Sequence, residues 1–268
     1  MTVAILGAGV MGETVVSGLL RAGRTPSELL MSDRRPSRAA ELRERYGVDV
    51  VSNVEAAAKA DTLMLVVKPQ DMPDLLDEIA PVVKPGQLVV SLAAGITTAS
   101  IESRLPEGVP VVRVMPNTPA LVDEGMAAIS RGAHCDESHL AEAEQLLSAT
   151  GKVIRVPEKQ QDAVTAISGS GPAYLFFVVE AMIEAGVHLG LPRSTATELV
   201  IQTMVGSAKL LRETGEHPTV LRERVTSPGG TTAAAVRELE DHKVRAAFMT
   251  ALESARDRSR ALARGDDE

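Results

Sequence analysis

Val3-Ala4-Ile5-Leu6-Gly7-Ala8-Gly9-Val10-Met11-Gly12 stands at the head of the chain, and its reading decides the fold. The apolar run Val3 to Leu6 gives way to a glycine-rich turn. The segment Met11 to Ala22 then carries Val15, Val16, Leu19 and Leu20 at helical spacing. The turn matches G-x-G-x-x-G in the context where that pattern is informative, after a strand and before a helix. Gly7 permits the tight turn, Gly9 lets the backbone approach a diphosphate, and Gly12 lets helix and strand pack closely. The helix N-terminus adds unpaired N–H groups and a partial positive charge. A dinucleotide site over Leu6, Gly7, Ala8, Gly9, Val10, Met11 and Gly12 is the expectation.

Working outward, short β-branched runs alternate with amphipathic segments. Leu29 to Ser32 reads as a second strand, Arg38 to Tyr46 as a helix and Val48 to Val51 as a third strand. Thr62 to Val67 is almost wholly apolar, as a strand buried on both faces should be. Leu88 to Leu92 and Val109 to Val114 repeat it, and Met126 to Ile129 and Lys152 to Val156 read as additional edge strands. Strands alternating with helices imply right-handed crossovers and a parallel sheet. After about Pro157 the β-runs stop and helical stripes follow, such as Leu199, Val200, Thr203, Met204, Leu210 and Leu211, and later Val244, Phe248, Leu252 and Ala255. The expected organisation is α/β: a Rossmann-type domain over residues 1–157, then an all-α domain over residues 158–268. Within the latter, Ala173 to Val187 is apolar nearly all round, so it must be covered on all sides. A domain of this size is too small to cover it alone, and a homodimer interface is expected there.

Composition narrows the class. The 268 residues are 44% apolar with a net charge of −8, so a packed core is feasible and there is no basic footprint for nucleic acid. Two tyrosines, three phenylalanines and no tryptophan make base-stacking platforms implausible. Cys135 is the single cysteine, which excludes an intramolecular disulfide and argues against a cysteine metal cluster. His134 and His139 flank it in what reads as an exposed loop with too few ligands for a metal, and no metal is expected. The start is too short for a signal peptide and no apolar stretch approaches the length of a membrane span, so a cytoplasmic protein with no membrane partner is expected.

The second strand ends at Ser32-Asp33-Arg34-Arg35. An acidic residue there holds an adenosine ribose 2′-OH, whereas arginines accommodate a 2′-phosphate. Arg34, Arg35 and Arg38 supply guanidinium forks, while Asp33 would repel a phosphate unless its side chain turns away. NADPH is therefore expected over NADH, with NADH still admissible and Arg35 and Arg38 also readable as solvated charges. Val66-Val67-Lys68-Pro69 and Ala93-Ala94-Gly95 follow strands four and five, at the carboxyl ends where open α/β sheets bind ligands. Late in the chain, Ser227-Pro228-Gly229-Gly230-Thr231-Thr232 precedes a helical stretch from Ala233 to Glu240. Such a turn exposes several N–H donors and reads as an anion nest suited to a carboxylate. Ser168-Gly169-Ser170-Gly171, with Pro172 opening a helix, is a similar device that reads equally well as plain capping.

Four segments resemble the pyrroline-5-carboxylate reductases: Val112-Arg113-Val114-Met115-Pro116-Asn117-Thr118-Pro119-Ala120, Ala166 to Tyr174, Thr203 to Leu211, and Leu221 to Thr232. The last matches the family signature nearly throughout, and the resemblance covers essentially the whole chain. It implies an N-terminal Rossmann domain, a C-terminal helical dimerisation domain, and reduction of 1-pyrroline-5-carboxylate to L-proline in proline biosynthesis, with dimers that assemble further into decamers. It also implies that Leu6 to Met11, Asn53, Val66 to Pro69 and Ala93 to Gly95 line the dinucleotide site. The turn Ser227 to Thr232 would hold the substrate, with Thr232 on the ring nitrogen and the active site requiring the dimer. Ser168 joins the candidate substrate residues. The chain departs from some relatives at Gly215, where they carry an acidic residue near the lysine matched by Lys68, so the resemblance does not carry an ion pair over to that position. A β-hydroxyacid dehydrogenase or imine reductase would need a catalytic lysine or acid in the helical domain, and no matching motif is apparent. A dinucleotide sensor without turnover would have no use for the intact turn at Ser227 to Thr232.

Overall fold

Aliphatic runs with no polar interruption pair as a sheet covered on both faces. The structure is a computed structural model that describes residues 1–264. Its first part alternates β1 (Val3–Leu6), α1 (Val10–Arg21), β2 (Leu29–Ser32), α2 (Pro36–Tyr46), β3 (Asp49–Val50), α3 (Asn53–Lys59), β4 (Thr62–Leu65), α4 (Met72–Ile79), β5 (Leu88–Ser91), α5 (Thr98–Glu102) and β6 (Val111–Met115). β7 (Gly125–Arg131), α6 (Glu137–Leu147) and β8 (Gly151–Arg155) complete one eight-stranded sheet of order β3-β2-β1-β4-β5-β6-β7-β8. Every pairing is parallel except β6 with β7. Only β8 is an edge of the two added strands; β7 lies inside, bonded on both sides, where sequence alone expected two edge strands. β7 ends in Ser130 and Arg131, and these polar residues disguise its interior position.

Alternate residues of each strand enter opposite cores. Ile5, Met31, Met64, Val90 and Val112 pack beneath residues of α1, α2 and α6, such as Val16, Leu42 and Leu140. Ala4, Leu6, Leu63, Leu65 and Val89 face the other way, against Ala56, Leu75, Leu76, Ile79 and Ile101. The chain runs from β1 outward to β3 and then returns to β4 on the other side of β1. That reversal opens a crevice at the carboxyl ends of β1 and β4, where ligands bind in such sheets.

After β8 no strand occurs among the described residues. The helices are α7 (Gln161–Val164), α8 (Gly171–His188), α9 (Arg193–Thr214), α10 (Pro218–Arg224), α11 (Thr231–Asp241) and α12 (Val244–Arg264). Two compact units result. One comprises residues 1–170 together with the end of α12 from Ala255; the other is residues 171–254. In the helical unit α8 packs on α9 through Gly186, where an added Cβ would lie 3.0 Å from the Ala196 Cβ. Leu175, Phe176, Phe177 and Met182 of α8 and Leu199, Ile201 and Val205 of α9 remain exposed.

Between α7 and α8 the helix does not stop. The Ser170 N–H donates to the Thr165 carbonyl at 2.8 Å, a five-residue step that carries the helix through one wide turn. The continuous run Glu158–His188 is 31 residues, long and apolar enough to cross a membrane by length and composition. This corrects the expectation that no stretch reaches that length. Of the Ser168–Gly171 segment, read as a nest or cap before a new helix, Ser168 and Gly169 lie within this wide turn and Gly171 opens α8.

Candidate active site

In the sheet unit a glycine turn grows from β1. Gly7 takes φ +109°, and its N–H donates to the Ser32 carbonyl at 3.2 Å. A Cβ there would lie 2.5 Å from the Val66 carbonyl oxygen, and one on Gly12 would lie 2.0 Å from that of Gly7. The turn is thus closed against β1 and β4 by glycines alone. Gly9 contrasts with them: nothing lies within 4 Å of its Cβ position, so the backbone there is bare. The first helical bond of α1 is from the Glu13 N–H to the Gly9 carbonyl at 3.0 Å, and no side chain caps the helix. The amides of Val10, Met11 and Gly12 are left without helical partners. A bare backbone with free amides and the positive end of a helix dipole fits a dinucleotide diphosphate.

A cleft of ≈ 250 Å³ adjoins this turn, lined by Gly7, Ser32, Asp33, Arg34, Arg35, Asn53 and Val67 with Asp71 and Leu75. Asp33, within that lining, has its carboxylate paired. The Arg35 N–H donates to Asp33 Oδ1 at 2.8 Å, and the Arg35 guanidinium grips both carboxylate oxygens at 3.0 Å. This pairing outweighs burial and holds the Asp33 carboxyl below the usual carboxylate range. Arg34 has no hydrogen bond or ion pair among the described residues and rims the cleft. Arg38, by contrast, is consumed by Glu13, Glu41 and the Ala8 carbonyl. Asn53 is fixed by Ser32 Oγ, which donates to its Oδ1 at 2.5 Å, and by Glu78, which accepts from its Nδ2 at 2.8 Å. Val66 and Val67 are half-buried beyond β4, and Lys68 and Pro69 are exposed. Ser32, Asp71 and Leu75 were not singled out from sequence. Ser32 follows from the rule that placed Asp33, as the last residue of β2. Asp71 and Leu75 are signalled by Pro69 and Pro73, which start a helical turn just after β4.

Ala93, Ala94 and Gly95 follow β5, Gly95 with φ +77°. The end of α12 stands beside them, the Ala263 nitrogen 3.6 Å from a Cβ built on Gly95. Ser259 Oγ donates to Asp162 Oδ1 at 2.8 Å and anchors that end. The loop is held from below as well. Glu158 accepts from the Thr98 N–H and hydroxyl, both at 2.8 Å, and pairs with the buried Arg113 at 3.3 Å. Asn117, after β6, donates from Nδ2 to Ser168 Oγ at 3.2 Å and accepts the Met126 N–H at 2.8 Å. Ser168 is thereby fixed within the wide turn. Cys135 points inward, its Sγ donating to the Val111 carbonyl at 3.0 Å, and burial pushes its thiol up. His139 caps its own helix, with Nδ1 accepting the Asp136 N–H at 3.1 Å.

The helical unit, taken by itself, carries a second glycine turn. Gly229 takes φ +70°, and the Gly230 N–H donates to the Ser227 carbonyl at 3.0 Å. A Cβ on Gly230 would lie 2.5 Å from Ser227 Oγ and 3.1 Å from the Ser227 carbonyl oxygen, so a larger residue would have to displace the Ser227 side chain. The sequence expectation began the helix at Ala233, but α11 begins at Thr231. Two adjacent threonines after two glycines hid its first turn. The Ala234 N–H to the Gly230 carbonyl, at 3.2 Å, is its first bond. The amides of Thr231, Thr232 and Ala233 are therefore free of helical partners, with no side chain capping them. Gly215, at φ +63°, ends α9 in the left-handed conformation, a local reason for glycine at that position.

A Rossmann-type sheet with an open phosphate turn, continued by a helical unit, is the architecture of NAD(P)H-dependent oxidoreductases. A family model described as pyrroline-5-carboxylate reductase dimerisation matches residues 158–262, and one described as NADP oxidoreductase, coenzyme F420-dependent, matches residues 2–95. The pyrroline-5-carboxylate reductase of Corynebacterium melassecola is 46% identical over 265 residues, 97% of this chain and 98% of that one. The chain belongs to the pyrroline-5-carboxylate reductases. Among solved structures it is similar to a pyrroline-5-carboxylate reductase from Coxiella burnetii, with a TM-score of 0.93, 36% identity and coverage of 97% and 98%. It is also similar to the Plasmodium falciparum pyrroline carboxylate reductase with NADP bound, with a TM-score of 0.88, 28% identity and 98% of each chain covered.

Proposed function

We infer that this chain reduces 1-pyrroline-5-carboxylate to L-proline with a hydride from NADPH, the final step of proline biosynthesis. The observation that carries the reading is that two glycine-shaped turns each present free helix amides, those of Val10–Gly12 and of Thr231–Ala233, in a chain 46% identical to a reductase of this substrate. The division of labour follows: residues 1–157 bind the dinucleotide, and residues 158–268 bind the imine and build the dimer.

The amides after Gly9 hold the diphosphate. Arg34 takes the 2′-phosphate, with Arg35 keeping Asp33 neutralised beside it. Asn53, Val66 to Pro69 and Ala93 to Gly95 line the remainder. The bound dihydronicotinamide supplies a hydride. The Ser227–Thr232 turn holds the substrate carboxylate on its amides, with Ser168 as a further polar contact. Thr232 hydrogen-bonds the ring nitrogen and orients the C=N bond. A protonated imine is already electrophilic, so hydride adds to the imine carbon, forming a C–H bond there while the C=N π pair returns to nitrogen to give the product amine, and no strong general acid is needed.

The exposed apolar face of α8 and α9 is covered by a second copy of the chain, in keeping with the dimerisation family match over these residues. Assembly of dimers into decamers and a cytoplasmic location complete the proposal. The test is oxidation of NADPH by purified protein with the cyclic imine acid and, separately, with 3-hydroxy acids and NADP. Turnover of the imine alone is expected. Dinucleotide binding without oxidation would make the chain a sensor, and turnover of hydroxy acids a different dehydrogenase.

A further inference from the structure

We propose that Arg38 is a positioning residue for the diphosphate-binding turn and not a ligand of the adenosine 2′-phosphate, an inference that rests on the dinucleotide reading above. Each of its three guanidinium nitrogens is engaged within the fold. Nε donates to the Ala8 carbonyl at 3.2 Å, Nη2 to Glu13, and Nη1 to Glu41 at 2.7 Å. Its side chain is 16% exposed. Glu13, in the first turn of α1, is itself saturated. Its second carboxylate oxygen accepts from Arg45 Nη1 and from the Tyr46 hydroxyl, each at 2.7 Å. Partial burial pushes the Glu13 carboxyl up, but the Tyr46 hydroxyl and the two guanidinium groups overcome this and hold it below the usual range.

The consequence lies in one peptide plane. The Ala8 carbonyl and the Gly9 N–H share a planar trans peptide, so they point in opposite directions. Holding the carbonyl on Arg38 aims the Gly9 N–H away from α2. Gly9 has no side chain and open space around it, so nothing local fixes that orientation. The same guanidinium also holds α1 through Glu13, directly beneath the free amides. Arg38 thus orients the donors any dinucleotide would use, whether or not it carries a 2′-phosphate. Arg34 stands in contrast, at the cleft rim with no partner among the described residues.

The experiment compares calorimetric Kd values of NADP and NAD for the wild-type chain and for Arg38→Met, Arg38→Lys and Arg34→Met. Loss of a charge-assisted hydrogen bond predicts that Arg38→Met weakens NADP and NAD by a similar factor, on the order of tenfold. Arg38→Lys, which keeps the charge but not the fork, recovers part of that loss. In turnover the cofactor KM rises while kcat at saturation stays within about twofold. Arg34→Met weakens NADP alone. A loss confined to NADP in Arg38→Met, or no loss for either dinucleotide, overturns the proposal. Should Arg38→Met fail to fold, Glu13→Gln, which removes the charge anchoring Arg38, carries the same comparison with the same two overturning results. Wild-type protein that binds neither dinucleotide sinks the reductase reading itself.

Discussion

Thr232 is the second residue of α11, among three whose amides have no helical partner. Replacing it by Ala keeps the backbone donors and removes the hydroxyl. A neutral hydrogen bond contributes about 1 kcal/mol, more when its partner is charged. Thr232→Ala is expected to lower kcat/KM for the imine by about tenfold with cofactor Kd unchanged; equal loss of both would assign Thr232 another role. The acid pairs give a pH dependence. Arg35 holds Asp33, and Tyr46 with Arg38 and Arg45 holds Glu13, below their ordinary values of 3.8 and 4.5. On acidification the unfolded chain therefore takes up these protons first. The stability these groups provide is complete above the ordinary values and is lost as pH falls through the depressed ones. Melting temperature is expected to drop on the acid side of about pH 4.5, and less steeply in Glu13→Gln.

At the scale of elements, β1, its glycine turn and α1 were legible from ten residues because each glycine has a separate steric reason. Gly12→Ala puts a methyl 2.0 Å from the Gly7 carbonyl oxygen, so the turn must open. Overpacking of this kind costs about 1–3 kcal/mol. We expect a lower melting temperature together with loss of dinucleotide binding, measured by thermal shift with and without NADP. Other elements were hidden for identifiable reasons. The first turn of α11 carries β-branched threonines behind two glycines, a combination that reads as loop. The wide turn at Thr165–Gly169 ends in a glycine that reads, with Ser168, Ser170 and Gly171, as a turn or cap before a new helix. The roles of Arg35 and Arg38 depend on distant or short-range acids, Glu13 and Asp33, that spacing alone does not pair with them. Burial periodicity found the strands, whereas hydrogen-bond partners set by tertiary packing lay beyond it.

For the whole molecule, the apolar α8 is the decisive feature. Phe177 is 72% exposed on it, beside Phe176. Burying a phenylalanine in an interface is worth about 1.5–3 kcal/mol, and a two-fold dimer buries each such residue twice. Phe177→Asp is expected to raise the dimer dissociation constant by about a hundredfold or more, read by sedimentation equilibrium, with the melting of each unit followed alongside to exclude misfolding.

The course of α12 has a consequence for dissecting the protein. The chain leaves the sheet unit at Ser170 and rejoins it at Ala255, so the helical unit is an insertion and not an appendage. One protease nick within residues 171–254 cannot release it. The C-terminal fragment still carries Ser259, hydrogen-bonded to Asp162 on the other piece, and Ala263 packed beside Gly95. Nicked protein should therefore co-elute as a complementing pair under native conditions and part only in denaturant, and a two-gene split at such a site should reassemble.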